Sequence, residues 1–292
     1  MDTVFTRQNE EANIDRLCAQ KQLYIEAKKI FMLQIILTVP VTILLSLVKI
    51  ILFTVFNIDI SAYVLVYGIS LTLIDLIVIN LVINDFKLSA AKIQELFDCS
   101  VYDLEWNKFC AGKKPNQEII NKYSGKFKLS GRPESKLKDW YPIELANQTP
   151  TKTIVLCQKT NLNYDTSIRK RFRSNTLIVA FVTLLILIVF ALFNGFSVKD
   201  FITQIACSFL PVFVLTAKIV IEQNKTLKNS EELRNNIEGI LDDEDNITRK
   251  EIRSIQDKLY TSRKDSALIP EFFYDKIRDK LEVEMHHNAA NY

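Results

Sequence analysis

Aromatic and basic residues are interleaved through the middle of the chain, between residues 85 and 173. This segment holds seventeen Lys and Arg against ten Asp and Glu, together with the rings of Trp106, Trp140, Tyr102, Tyr123, Tyr141 and Tyr164. Aromatic rings stack on bases and Lys and Arg neutralise phosphates, so this composition suits a nucleotide ligand. Loops beside membrane spans carry the same residue types for topological reasons, since Trp and Tyr favour membrane interfaces. Composition alone leaves both interpretations open.

A second set of polar residues interrupts long apolar runs of sequence. Asp75 shares a helix face with Thr72, which predicts that its carboxylate faces a bundle interior or a water path. At a rise of about 1.5 Å per residue, Lys49 differs too much from Asp75 in depth to pair with it, and we expect Lys49 to reach the outer surface instead. A further polar stripe consists of Gln204, Cys207, Ser208 and Lys218. Pore lining and ordinary bundle packing both explain these stripes.

Residue patterns for catalysis or metal binding are missing from the sequence. It contains no glycine-rich phosphate loop, no HExxH and no nucleophile elbow. The two histidines, His286 and His287, are adjacent, and the five cysteines are scattered without CxxC spacing. We therefore expect no enzyme activity, no metal site and no cofactor.

Length and composition predict a helical membrane protein. The 292 residues are 48% apolar but include only 6 Gly and 7 Pro, too few turn residues for a β-rich or α/β chain. Four runs, at 31–56, 60–84, 174–198 and 201–221, are apolar over the roughly 20 residues that a bilayer requires. The sequence thus predicts an all-α protein with four transmembrane helices, arranged two plus two, and a mostly helical cytoplasmic domain. The net charge of +3 argues against direct DNA or RNA binding.

The charge of the connecting segments predicts their side of the membrane. The connectors 57–59 and 199–200 together hold one Lys, whereas basic residues are concentrated at 85–173 and immediately before the third run. The positive-inside rule places both termini and the middle segment in the cytoplasm. We divide the chain into an N-terminal amphipathic helix (1–29), a transmembrane hairpin (30–84), a basic segment with a ligand-binding role (85–173), a second hairpin (174–221) and C-terminal helices (222–292).

The last segment has clear helix signals. No Gly or Pro occurs between Pro211 and Gly239, so we predict that the fourth span continues as one helix to about Leu241. Thr248 and Glu251 have the spacing of a capping box, and Pro270 opens a final helix. Residues 222–292 hold sixteen acidic and twelve basic side chains. Their charge is opposite to that of 85–173, which predicts that the two segments pack together.

These residues alone leave several functions open. A transporter is disfavoured because no internal repeat relates the two hairpins and no glycines break a helix near mid-membrane. A lone four-helix bundle fills its own interior, so conduction would need several subunits. A ligand-gated pore, a non-conducting scaffold that recruits a cytoplasmic partner, and a small constitutive ion channel all fit.

Three blocks of the chain resemble one bacterial family. They are Arg7-Gln8-Asn9-Glu10 with residues 17–24 and Ala27-Lys28; Phe97-Asp98 through Trp106-Asn107; and Trp140-Tyr141 with residues 157–161, Tyr164-Asp165 and residues 168–172. In this order, and with two-plus-two spans, they are similar to the SMODS-associated four-transmembrane effectors of the cyclic-oligonucleotide anti-phage (CBASS) systems.

This resemblance implies a pore-forming effector in the bacterial inner membrane. A partner cyclic nucleotide synthase would respond to infection by making a cyclic di- or trinucleotide second messenger. The messenger would act as the activating ligand, bind the cytoplasmic domain and change how subunits associate in a homo-oligomer. The bilayer would then become permeable, and the infected cell would stop growing or die before phage matured.

The resemblance and the chemistry of such a messenger together give candidate residues, because phosphates favour Arg and Lys donors and bases favour aromatic rings. The ligand-binding candidates are Trp106, Trp140, Tyr141, Gln158, Asn161, Tyr164, Asp165, Arg169 and Arg171. The pore-lining or bundle-lining candidates are Asp75, Thr72, Gln204, Cys207, Ser208 and Lys218. A structural alternative for the third block is a helix that docks the cytoplasmic domain onto the third span.

Overall fold

The computed structural model describes residues 3–290, except for the side chains of Thr54, Gln204, Glu244, Arg278, Asp279 and Asn288. Every regular element in this part of the chain is a helix, which confirms the all-α prediction. The α-helices are α1 (Val4–Arg7), α2 (Glu11–Thr38), α3 (Pro40–Phe56), α4 (Ser61–Ile74), α5 (Asn80–Tyr102), α6 (Lys108–Ala111), α7 (Gln117–Leu129), α8 (Pro150–Phe193), α9 (Val198–Asp200), α10 (Cys207–Leu241), α11 (Arg249–Asp265) and α12 (Glu271–Ala289). Two π-helical segments, Asp75–Ile79 and Phe201–Ala206, and three 3₁₀ turns, Glu134–Leu137, Ile143–Asn147 and Glu244–Asn246, complete the set.

Four helical stretches within the described residues are long and apolar enough to cross a membrane. They are Glu11–Phe53, Ser61–Tyr102, Pro150–Phe193 and Cys207–Leu241. Large apolar side chains stand exposed along them, including Leu76, Phe181 and Ile221, each more than 60% exposed. Continuous exposed apolar surface is unfavourable in water and favourable in a bilayer. The predicted four-span membrane protein is therefore confirmed.

The chain forms two compact units. The apolar unit contains Lys29–Ile83 and Arg171–Asn224, and the polar unit contains Met1–Lys28, Asn84–Lys170 and Lys225–Tyr292. The helices α2, α5, α8 and α10 each contribute residues to both units. Each unit is thus assembled from segments that are far apart in sequence.

The first apolar run is divided differently from the sequence-based expectation. The sequence predicts a helix ending near residue 29 and a continuous run over 31–56, but α2 continues to Thr38 and the break falls at Val39, before Pro40. Proline has no backbone N–H, so Pro40 cannot donate the hydrogen bond that would continue α2, yet its ring fits the first turn of a new helix. Pro40 therefore ends α2 and begins α3.

The core of the polar unit joins the start, middle and end of the chain. Leu17, Phe97, Val155, Ile237 and Ile255 lie in one cluster, each at most 2% exposed. Residues 85–173 and 222–292 do pack together, as their opposite net charges predict. The shortest ion pairs between them reverse that charge pattern, however, because arginines of the acidic segment bind carboxylates of the basic segment, in the pairs Arg253–Glu95 and Arg263–Asp98.

Two local signals from the sequence are confirmed in the C-terminal part. Helix α10 is continuous to Leu241, with Pro211 inside it. Thr248 caps α11, its side chain accepting from the backbone N–H of Glu251, while the Glu251 carboxylate accepts from the Thr248 backbone.

The apolar unit contains a close approach between α4 and α10. A Cβ atom placed on Gly68 would lie 2.8 Å from Cγ of the Pro211 ring. The pyrrolidine ring is rigid, so it cannot move aside as a flexible side chain would. Glycine at position 68 is therefore required by packing.

We expect Gly68→Ala to lower the free energy of unfolding by about 1–3 kcal/mol, because the new methyl group overpacks the contact with Pro211. Thermal unfolding in detergent measures the change. The matched control is Gly239→Ala, a helical glycine whose added Cβ would have no neighbour within 4 Å; it is expected to stabilise by about 0.5–1 kcal/mol. Equal effects of the two substitutions would contradict the close approach.

Candidate functional site

A cavity of about 220 Å³ lies inside the polar unit. It is lined by α2, α5, α8, α11 and α12, together with Trp140 and the loop that precedes α12. These elements come from the first 28 residues, the middle segment and the C-terminal segment, so the cavity exists only when all three are folded together.

The cavity wall combines positive charge with aromatic rings. Its cations are Lys21, Lys28, Arg169 and Arg263, and its rings are Tyr24, Trp140, Tyr164 and Tyr274. Among the described lining residues Asp165 is the one carboxylate. The lining therefore has an excess of positive charge beside flat apolar faces, a combination that binds phosphates and stacks bases.

Arg263 is held by a buried carboxylate on α5. Its Nη1 donates to Oδ2 of Asp98 at 2.5 Å, and Asp98 is fully buried. The same carboxylate accepts from the hydroxyl of Tyr141 at 2.7 Å and from Nε2 of Gln256 at 2.8 Å. Burial by itself lowers the pKa of Arg263, but the Asp98 carboxylate outweighs burial and the net pKa is raised. Arg263 therefore stays charged and fixed beside the cavity.

Arg169 is oriented from two directions. Its Nε donates to Oδ2 of Asp165, one helical turn earlier on α8, at 2.5 Å. Its Nη1 donates to the backbone carbonyl of Ala267 at 2.6 Å. Arg169 therefore links α8 to the loop that leads into α12.

The two lysines of α2 share one acidic partner. Nζ of Lys28 lies 2.6 Å and Nζ of Lys21 lies 3.1 Å from the carboxylate of Glu271, in the first turn of α12. The same ammonium groups stand 4.8 Å and 4.4 Å from the centre of the Tyr274 ring. Burial raises the pKa of Glu271, but Lys28 and Lys21 outweigh it and lower that pKa to about 2.

Three residues of the cavity wall carry buried polar atoms that have no hydrogen-bond partner in the described part of the chain. They are Oε1 of Gln20, Nδ2 of Asn161 and Nη2 of Arg263. Buried polar atoms are normally paired, and leaving one unpaired costs about 1–3 kcal/mol. A ligand with complementary donors and acceptors would satisfy them.

The structure brings together five of the ligand-binding candidates derived from the sequence. Trp140, Asn161, Tyr164, Asp165 and Arg169 all line the cavity. Tyr164 also pairs with Tyr274 of α12, with 3.2 Å between the two hydroxyl oxygens.

The other four candidates lie elsewhere. Tyr141 is buried in the core, and Gln158 is also fully buried, its Nε2 donating to Oε1 of Gln256 at 2.9 Å. Trp106 packs against Ala111 and donates from Nε1 to the carbonyl of Gly112 at 2.8 Å. Arg171 belongs to the apolar unit.

Sequence reasoning missed the contributions of α2, α11 and α12 to the cavity wall. The missed residues are Gln20, Lys21, Tyr24, Lys28, Arg263 and Tyr274. A signal for Lys21 was available, because this charge interrupts the apolar face of an amphipathic helix whose neighbours Leu17 and Cys18 are fully buried. Arg263 has no comparable local signal, since a charged residue on α11 fits an ordinary exposed position.

A polar cluster in the apolar unit contains two of the predicted lining residues. Nζ of Lys218 on α10 lies 2.9 Å from the carboxylate of Asp75, where the π-helical segment begins. Gln34 of α2 also donates to Asp75, and Lys218 donates to Oδ1 of Asn80 at 2.7 Å. Charges inside a membrane bundle are stable only when paired, and π-helical segments often mark functional positions.

The expectation that Lys49 reaches the outer surface is wrong. Lys49 is 1% exposed, and its Nζ donates to Oγ of Ser208 at 2.7 Å. The hydroxyl of Ser208 on α10 gives the ammonium group a partner inside the bundle. Of the other predicted lining residues, Thr72 is exposed and its hydroxyl donates to the carbonyl of Gly68, and Cys207 is exposed. The side chain of Gln204 lies outside the part that the structure describes.

Comparison with known proteins gives two matches. A family model described as the SMODS-associating 4TM effector domain matches residues 2–292. A protein of Bacillus cereus strain VD146, named a probable CBASS effector molecule, is 28% identical over 274 residues that cover 92% of this chain and 90% of that protein. No solved structure matches the chain.

Lys218→Met removes the cationic partner of Asp75, and we expect it to destabilise the protein by about 3–5 kcal/mol, since the carboxylate is left without its counter-charge. The double variant Asp75→Asn with Lys218→Met is expected to recover most of this loss. Thermal unfolding in detergent compares the variants. Additive losses in the double variant would show that the two residues are not coupled.

Glu271 gives the protein an acid-dependent stability. Its folded pKa of about 2 lies below the ordinary value of 4.5, so its ion pairs stabilise the fold above about pH 4.5 and this contribution is lost as the pH falls towards 2. We expect Glu271→Gln to unfold at a lower temperature than the wild type at pH 7, with the gap closing on acidification. Thermal unfolding from pH 7 to pH 2.5 measures the gap; a gap independent of pH would contradict the ion pairs.

Proposed function

Because the chain belongs to the SMODS-associating 4TM effector family, we propose that it is a membrane effector of bacterial anti-phage defence whose polar unit binds a cyclic di- or trinucleotide messenger. Binding changes how subunits associate and makes the inner membrane permeable, so that the infected cell stops growing or dies. In this proposal both termini and the polar unit are cytoplasmic, where a partner cyclic nucleotide synthase releases the messenger.

The cavity of the polar unit is the observation that carries this proposal. It combines four cations, four aromatic rings and three unpaired buried polar atoms in one wall. Rings stack on bases of any identity, while fixed guanidinium groups recognise phosphate oxygens with directional hydrogen bonds. The similar Bacillus cereus protein is named a probable CBASS effector molecule, which supports a role in the same kind of defence system.

The lining residues suit different parts of a nucleotide. The rings of Tyr164 and Tyr274, with centres 6.3 Å apart, and the ring of Trp140 supply stacking surfaces. The guanidinium groups of Arg169 and Arg263 supply donors for phosphate. The amide groups of Gln20 and Asn161 supply an acceptor and a donor for base edges.

The size of the cavity supports a change in subunit association. Pockets that enclose a drug-sized ligand measure about 300–1,000 Å³, and this cavity measures about 220 Å³. A cyclic di- or trinucleotide is larger than such a ligand, so one chain encloses only part of it. The remaining part stays available to another subunit, which favours a ligand-linked homo-oligomer.

Two long helices, α2 and α10, each carry residues of the polar unit and of the Asp75 cluster. Helix α2 carries Lys21 and Lys28 of the cavity and, further along, Gln34 of the Asp75 cluster. Helix α10 carries Lys218 of that cluster and also Thr226, whose hydroxyl accepts from the backbone N–H of Ala267 in the cavity wall. A continuous helix transmits displacement along its length, so ligand binding biases the polar cluster through α2 and α10.

Conduction would need several chains around a common axis, because a single four-helix bundle fills its interior with side chains. The Asp75, Lys218 and Gln34 cluster is the polar feature that we assign to the opening of such a pore. Two alternatives make different use of the same fold: a non-conducting scaffold that recruits a cytoplasmic partner, and a constitutive channel without a nucleotide ligand.

Purified protein in dye-loaded liposomes tests the proposal. Protease digestion of a sample first identifies the preparations in which the polar unit faces outward. Cyclic di- and trinucleotides are then added to these preparations one at a time. We expect dye release with at least one nucleotide. Trp140→Leu is expected to reduce the response at least about tenfold by removing a stacking surface. Trp106→Leu, which changes a tryptophan outside the cavity wall, is the matched control and is expected to respond like the wild type.

Other outcomes separate the alternatives. If no nucleotide causes dye release and calorimetry detects no binding, the result would favour the scaffold. Dye release without nucleotide would favour the constitutive channel. Equal losses in Trp140→Leu and Trp106→Leu would place the ligand elsewhere.

A further inference from the structure

Glu271 is the acidic partner of two cavity-lining lysines, Lys21 and Lys28. Its two carboxylate oxygens contact Nζ of Lys21 at 3.1 Å and Nζ of Lys28 at 2.6 Å. The lysine side chains are 19% and 13% exposed, and that of Glu271 is 25% exposed. This is a partly desolvated site in which one carboxylate serves two ammonium groups.

An aromatic ring forms the floor of the same site. Both ammonium groups lie within 5 Å of the centre of the Tyr274 ring, at distances typical of cation–π contacts. The residues therefore provide two positive charges, one ring and one carboxylate.

We propose that Lys21, Lys28 and Tyr274 form a phosphate subsite in which the Glu271 carboxylate is the resident anion, and that a ligand phosphate displaces it. This inference rests on the proposed function, because it assigns one group of the messenger to one part of that cavity.

Charge and geometry both favour a phosphate that replaces the Glu271 carboxylate over one that binds beside it. A phosphodiester has one negative charge and two free oxygens, as the carboxylate does, so it can receive the same two ammonium donors. A phosphate that entered while Glu271 stayed in place would put two anions next to each other in a partly desolvated site, which is unfavourable. The incoming phosphate and Glu271 therefore compete for the lysines.

Displacement of Glu271 acts on one end of α12. Glu271 lies in the first turn of this helix, whereas the far end is held separately by Nδ1 of His286, 3.0 Å from the carboxylate of Glu144. Helix α12 also packs through Phe273 and Leu281, which are buried. Loss of the Glu271 pairs releases the N-terminal turn of α12 first, and this gives the ligand a direct effect on the C-terminal segment.

Glu271→Gln tests the competition, because glutamine keeps the size of the side chain and removes its charge. Calorimetry in detergent compares wild type and variant, with cyclic di-AMP, cyclic di-GMP and cyclic tri-AMP as nucleotide probes. We expect the variant to bind any nucleotide that the wild type binds about tenfold more tightly, equivalent to about 1.4 kcal/mol. The matched control is Glu144→Gln, which removes the acidic partner of His286 near the far end of α12 and is expected to leave affinity unchanged within about twofold.

Pyrophosphate serves as a second probe because it has no base. It is expected to bind Glu271→Gln more tightly than wild type, and to lose that gain when Lys28→Met is added. Hydrogen exchange is expected to be faster in the first turns of α12 in Glu271→Gln, but not in Glu144→Gln.

The two probes separate the failure of this inference from the failure of the proposed function. If Glu271→Gln binds a nucleotide as tightly as the wild type does, or more weakly, the exchange of Glu271 for phosphate is overturned. The proposed function is not affected by that result. If no nucleotide binds but pyrophosphate binds Glu271→Gln more tightly than wild type, the anion subsite stands and the messenger proposal fails. If pyrophosphate binding does not increase in Glu271→Gln, the subsite is overturned.

Discussion

A fully buried carboxylate, Asp98, organises the polar unit. It accepts hydrogen bonds from Arg263, Gln256 and the hydroxyl of Tyr141, so one side chain joins α5, α11 and the segment before α8. Removing one partner from a buried charge pair typically costs about 3–5 kcal/mol, because the remaining charge is left buried without a counter-charge. The neighbouring Glu95 is ionised less easily, since burial and the charge of Asp98 raise its pKa. The network fixes the core and, through Arg263, one wall of the cavity.

The same requirement to pair buried charge operates in the apolar unit. Asp75 meets Lys218, and Lys49 meets Ser208. Water is not available inside a bilayer, so each polar group must find its partner on a neighbouring helix. The pairs therefore restrict how α2, α3, α4 and α10 can pack, and any rearrangement of this unit must replace them.

Ligand recognition and membrane rearrangement involve the same long helices in this proposal. Helices α2, α5, α8 and α10 each contribute residues to both units. Helix α12 differs, since its residues lie in the polar unit alone and its first turn is attached by ion pairs. Another anion can take the place of the carboxylate in an ion pair, whereas it cannot take the place of an apolar contact.

The sequence alone determined the features that depend on residues close together along the chain. The long apolar runs, the shortage of Gly and Pro, and the Thr248–Glu251 spacing predicted the spans, the helical class and the start of α11, and the three sequence blocks indicated the family. Trp140, Asn161, Tyr164, Asp165 and Arg169 were also found from those blocks and now line one cavity. Only the tertiary structure decided that Lys28 meets Glu271 across 243 residues, that Arg263 reaches the same cavity, and that Lys49 turns inward to Ser208. Helix periodicity and capping are short-range interactions that leave a local pattern in sequence. The partner of a buried charge depends on how distant helices pack, and no local pattern records it.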